Sequence, residues 1–170
     1  LRFIRDCLFP AILLTVPASA QSQIPDPAET ASLMFTALRE GDAAAVDTLV
    51  SSEAMEIVDG MLESLEQSLR ASREATMLRI SQAGYTATAD EIGDWDASDY
   101  LRATVSLPIM MARFSPYSME VVSSTVEDDE AVVQLVFSTA GGFELPSEAR
   151  LLWEEDAWRV SSFMGLNSFP

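Results

Sequence analysis

From Asp26 onward the apolar positions fall at helical spacing. Ala31, Met34, Phe35 and Leu38 stand at i, i+3, i+4 and i+7 and predict one buried helix face. Asp26 as N-cap, Pro27 at the first helical position and Glu29 three residues after the cap mark the start, and Gly41 is placed to end the helix in a left-handed cap. Asp42 then caps a short second helix over "AAAVDTLV". Ser51 or Ser52 opens a third, in which Met55, Val58, Leu62, Leu65 and Leu69 alternate three and four apart. One helix from Glu53 to Ala83 would be about 45 Å long at 1.5 Å per residue, so a break is expected near Ser72, with Gly84 as the stop. A further helix runs through "ASDYLRATVSLPIMMARF", capped by Asp96 and kinked or divided at Pro108, which has no N–H for the bond back to residue 104.

After Tyr117 the period changes to two. "SMEVVSSTV" and "AVVQLVFST" flank the acidic turn "EDDE", and Ala131, Val133, Leu135 and Phe137 share one face of the second run. Following "AGG", the run "EARLLW" sets Ala149, Leu151 and Trp153 against Glu148, Arg150 and Glu154, and Trp158 and Val160 then alternate with Arg159. Glu154, Glu155 and Asp156 read as the exposed turn of this last hairpin, with Trp153 and Trp158 near each other across it. Helices first and an antiparallel sheet afterwards give an α+β class.

Residues 1–20 follow a different logic. Arg2 and Arg5 precede the apolar run Leu8 to Val16, and "PASA" closes with Ala18 and Ala20 in the small-residue pattern that a signal peptidase cuts. A signal peptide is expected there, with Gln21 as the new N-terminus, residues 21–26 as a short linker and 27–165 as a single domain. Its apolar run is too short to span a bilayer, which takes about 20 residues, so no stable membrane insertion is expected. Cys7, the one cysteine, stands ahead of the apolar run and would leave with it. The expected location is the periplasm of a Gram-negative bacterium, or otherwise the medium.

Charge narrows the chemistry. The full chain carries 27 acids against 10 basic side chains, a net −17. Residues 1–20 hold Arg2, Arg5 and Asp6, a net +1, so the exported chain stands at −18. Such a field repels nucleic acid, whose binding needs Lys and Arg to neutralise phosphates. There is no His and no Lys, and the exported chain has no Cys. Ser-His-Asp and Cys-His catalysis, Schiff bases and thiolate or imidazole zinc sites are therefore excluded, and no cofactor is indicated.

Carboxylates and phenols remain. Asp90, Glu91, Asp94, Asp96 and Asp99 crowd one segment, but registering Asp94 and Asp96 on an EF-hand loop puts Asp99 where Gly is required and Val105 where the bidentate Glu belongs. Asp96 and Asp99 read instead as helix-start residues and the other acids as solvated loop, so no metal site is assigned. Two acid–phenol neighbours, Asp99 with Tyr100 and Glu120 with Tyr117, are the candidates for proton abstraction with a phenol stabilising the enolate. Neither carries a motif, and no catalytic residue is assigned.

A helix reading "ASLMFTALREGDAAAVDTLVS", further helices, and a meander ending "ARLLWEEDAWRV" together resemble the NTF2-like superfamily, in particular its small exported domains of unassigned function; the resemblance spans Pro27 to Phe163. It implies a bent antiparallel sheet wrapped around helices, with a conical pocket between them. Some relatives use that pocket for isomerase or dehydratase chemistry and others only bind or dimerise. With no catalytic signature in this chain, the expected function is non-catalytic binding of a small apolar ligand or an envelope protein. The alternatives are an isomerase or dehydratase with a buried carboxylate, and a dimerising envelope module, for which Met110, Met111 and Phe114 offer an apolar helix face.

Overall fold

The computed structural model describes residues 26–164; the expected signal peptide, its cleavage site and most of the linker lie outside the described residues. Among the described residues seven helices precede four strands: α1 Pro27–Glu40, α2 Ala43–Leu49, α3 Ser52–Ala71, α4 Arg73–Ala83, α5 Ala89–Gly93, α6 Ala97–Val105, α7 Pro108–Phe114, then β1 Tyr117–Glu127, β2 Glu130–Thr139, β3 Glu144–Glu154 and β4 Ala157–Phe163. The strands form one antiparallel meander in the order β1-β2-β3-β4. The chain is α+β, with helices packed on the sheet. No helix among the described residues is long and apolar enough to cross a membrane.

Local chemistry sets the helix ends. Asp26 accepts from the Ala28 N–H at 2.9 Å, Asp42 from Ala45 at 3.0 Å and Ser51 from Ala54 at 3.2 Å, each satisfying a donor that the first turn leaves free. Gly41 ends α1 at φ +70°, a conformation that favours glycine, and a Cβ there would stand 2.7 Å from Met111 Sδ, so the Met111 side chain would have to shift. The long amphipathic stretch breaks at Ser72, the single residue between α3 and α4. Pro108 divides the later helix and opens α7 at a position where no N–H is needed.

The main core lies between α1 and the inner face of the sheet. Ala31, Met34, Phe35 and Leu38 meet Ala131, Val133, Leu135 and Phe137, all buried, with the Phe35 and Phe137 rings 5.5 Å apart. Trp153 and Trp158 pair directly across β3 and β4 with their rings edge to face at 5.2 Å. Met110 and Phe114 are buried in this same core, while Met111 is half-buried and Ile109 of the same helix is exposed. A second, smaller core of Leu62, Ile80 and Ile92 joins α3, α4 and α5, with Leu65, Leu69, Met77 and Trp95 half-buried around it.

Three sequence expectations need correction. Residues 89–93, read as solvated loop, form α5, because Thr88 and Glu91 make a capping box. Strand β3 begins at Glu144 and runs through Pro146, whose missing N–H falls where β3 pairs only with β2. Glu154 belongs to strand β3 instead of the turn, and its carboxylate accepts from Ser52 N at 3.0 Å and Ser52 Oγ at 2.7 Å, tying the start of α3 to the last hairpin.

Candidate functional site

The acid–phenol neighbours do not converge. Asp99 is exposed and closes a capping box with Asp96, while Tyr100 turns into an aromatic cluster, its ring parallel to that of Tyr85 at 6.5 Å and tilted against Trp95 at 6.4 Å. Tyr117 packs edge-on against Phe137 on the inner face of the sheet, and Glu120 is exposed on the outer face beside Val136. In the acidic segment, Asp90 pairs with Arg73 at 2.8 Å. Glu91 takes the backbone N–H and hydroxyl of Thr88, and those bonds hold its carboxyl below the usual range. No group of three or more acids that could hold a metal ion occurs among the described residues.

Two grooves stand out. The first, about 520 Å³, lies between α3, α4 and the Tyr85–Tyr100 pair. Met61 and Leu65 come from α3 and Ile80 from α4; Tyr85 and Tyr100 complete the apolar lining, and Arg79 is its cation. It exists because of how the two helices meet. Ser72 reverses the chain in one residue, and the buried Thr76 hydroxyl donates to Ser68 O at 3.0 Å, pinning the start of α4 to the end of α3. Further along, Tyr85 and Tyr100 pack beside the helices where the small Leu62–Ile80–Ile92 core does not fill the space between them.

Tyr85 is anchored there. Its hydroxyl shares a 2.6 Å hydrogen bond with Thr104 Oγ1, which in turn donates to Tyr100 O at 2.8 Å. Burial pushes its phenol up to about 12, further above the physiological range in which an ordinary phenol is already neutral.

The second groove, about 510 Å³, opens at the hairpin tips. Trp153, Trp158, Val126 and Pro27 line it together with Asp26, Asp128 and Asp129, all three exposed. Trp158 is buried, and its indole N–H has no hydrogen-bond partner among the described residues. The centre of the sheet's inner face is packed by Phe35, Phe137, Phe163 and their neighbours. Space between helices and sheet is thus represented by this groove at the margin and by a smaller one of about 320 Å³ lined by Glu53 and Ile57 of α3 and by residues of β2, β3 and β4.

Sequence reasoning did not find the first groove. Leu65 was legible as part of an apolar helix face, but only the reversal at Ser72 sets that face opposite Ile80, and the tyrosines arrive from outside the hairpin. The chain matches no protein-family model, no curated protein and no solved structure.

Proposed function

We propose that this chain is an exported, non-catalytic binding domain of the NTF2-like type, located in the periplasm or otherwise secreted, which takes a small apolar ligand in the α3–α4 groove. The observation that carries the reading is the groove itself: an open, largely apolar space of about 520 Å³ with an anchored tyrosine floor, within the size range of ligand sites. The isomerase or dehydratase alternative asks for an enclosed carboxylate beside a phenol. No carboxylate lines this groove, and the acids at the hairpin groove are exposed.

The test is fluorescence titration with the uncharged probe N-phenyl-1-naphthylamine. Ser64 is exposed and lines the groove, so Ser64→Trp fills the space at little cost to the fold. The expected result is saturable binding by wild type and loss in Ser64→Trp. Equal binding by both would refute the site. Export is tested separately by mass spectrometry of the mature protein, expected to begin at Gln21.

A dimerising role is the second reading, favoured by one observation. Strand β1 is a sheet edge whose second half is exposed, with Val122 at 62% and Val126 at 50%, and residues 121–126 carry no charge. Such an edge offers unpaired backbone groups to another strand. Sedimentation of wild type and Val122→Lys would show a dimer dispersed by the charge, or monomers throughout if the reading fails.

A further inference from the structure

Charge is distributed unevenly around the α3–α4 groove. The chain has 27 acids and 10 arginines, yet the groove's lining includes Arg79 and no carboxylate. The nearby arginines of the same two helices are already used: Arg70 meets Glu66 at 3.3 Å and Arg73 meets Asp90 at 2.8 Å. Arg102 is paired with Asp47 and Arg150 with Glu148, while Arg39 and Arg113 lie over phenylalanine rings. Among the described residues Arg79 has no ion pair, nor has Arg159 of β4, which does not line the groove. In a protein this acidic, an unpaired guanidinium beside an apolar space is the feature of the groove that selects a ligand by charge.

Two of the other polar groups are committed elsewhere, while the Ser64 and Tyr100 hydroxyls also line the groove. Ser68 Oγ donates to Ser64 O at 3.0 Å, and the Tyr85 hydroxyl is held by Thr104. Tyr85 also contributes no negative charge to the groove, since a phenol is protonated at pH 7. What the groove offers a ligand is therefore apolar surface from Met61, Leu65, Ile80 and the stacked tyrosines, the neutral Ser64 and Tyr100 hydroxyls, and the planar donor fork of Arg79 as its one charged group.

We infer that the groove takes an amphipathic anion, a monocarboxylate on an aliphatic or aromatic body, with its head at Arg79 and its body along the apolar wall. The inference rests on the reading of this groove as the ligand site and adds the chemical class of the ligand. Arg79 is exposed, so the ion pair forms partly in water and contributes a modest factor, about fivefold in affinity.

The experiment is isothermal titration of the protein at pH 7 with dodecanoate and 2-naphthoate, each against its uncharged alcohol, 1-dodecanol and 2-naphthol. At least one acid should bind about fivefold tighter than its alcohol, and which acid does so separates an aliphatic from an aromatic body. High salt should narrow the gap, and Arg79→Gln should close it without weakening the alcohol. Equal affinity for acid and alcohol, unchanged in Arg79→Gln, overturns the anionic class while leaving the groove standing as a site. Binding that survives Ser64→Trp, or no binding of any of the four, overturns the groove reading and this inference with it.

Discussion

The three acids of "EED" should respond to substitution with opposite signs. Glu154 accepts two hydrogen bonds from Ser52, at 3.0 and 2.7 Å, across 102 residues of sequence, and does so at the N-terminus of α3. Ser51 N donates to Val160 O at 3.0 Å one residue earlier, so this junction fixes the long helix to the sheet. A hydrogen bond to a charged group contributes about 1.5–3 kcal/mol, and a carboxylate at a helix start about 0.3–1 kcal/mol more; partial exposure reduces both. Glu154→Ala should therefore cost about 1–2 kcal/mol, and Glu154→Gln, which keeps an acceptor, about half of that. Glu155 and Asp156 form the two-residue turn at φ +50° and +63°, a conformation that asks for Asn-Gly. Replacing them by Asn and Gly should stabilise the protein by about 1 kcal/mol, because L-residues at positive φ are strained by roughly 1–2 kcal/mol. Urea denaturation reads both: at a slope of about 2 kcal/mol/M, the midpoints should move down by roughly 0.5–1 M and up by roughly 0.5 M. If Glu154→Ala is as stable as wild type, or the turn variant less stable, the account of this hairpin is wrong.

Other expectations follow from the same structure. Trp158→Ala should cost about 3–5 kcal/mol in the same assay and Trp153→Ala clearly less, since Trp158 is 4% exposed and Trp153 half-buried. Gly41→Ala should cost about 1–2 kcal/mol through its positive φ and the Met111 contact, and pairing it with Met111→Ala should leave the strain of the cap. Tyr85 should titrate near 12 in an ultraviolet phenolate titration, and Tyr85→Phe should remove that late step. Its folded pKa lies above the ordinary 10, so the folded state holds the proton more tightly; this contribution is whole below pH 10 and lost between pH 10 and about 12. A phenolate step near 10 for Tyr85 would show the ring to be solvated.

Much of the fold was legible because its signals are local. Asp26 with Pro27, Asp42 and Ser51 act on donors two or three residues away, and the alternation from Ala131 to Phe137 is a property of one strand. The break at Ser72 followed from length, and the division at Pro108 from a missing donor. Helix α5 was missed although Thr88-x-x-Glu91 is a capping signal, because a five-residue helix with one buried side chain, Ile92, has no apolar period. The role of Glu154 was beyond reach for a different reason: its partner is 102 residues away, and an acid beside a turn reads as solvated. The groove has the same origin in tertiary structure, since Arg79, Leu65 and Tyr100 each have an ordinary local explanation and share a surface only after α4 folds back on α3.

The two cores divide the work between them. The main one, from Phe35 to Phe163, is packed across the sheet and closed by α7, and it holds the fold. The second has three buried residues, Leu62, Ile80 and Ile92, under a ring of half-buried neighbours, and that shortfall of apolar side chains is what leaves the groove open. An apolar ligand there would complete a core that the chain leaves incomplete, gaining from burial that α3 and α4 do not supply to each other. Stability and recognition thus rest on different residues, and changes at Arg79 or Ser64 should alter binding while the sheet and α1 carry the fold unchanged.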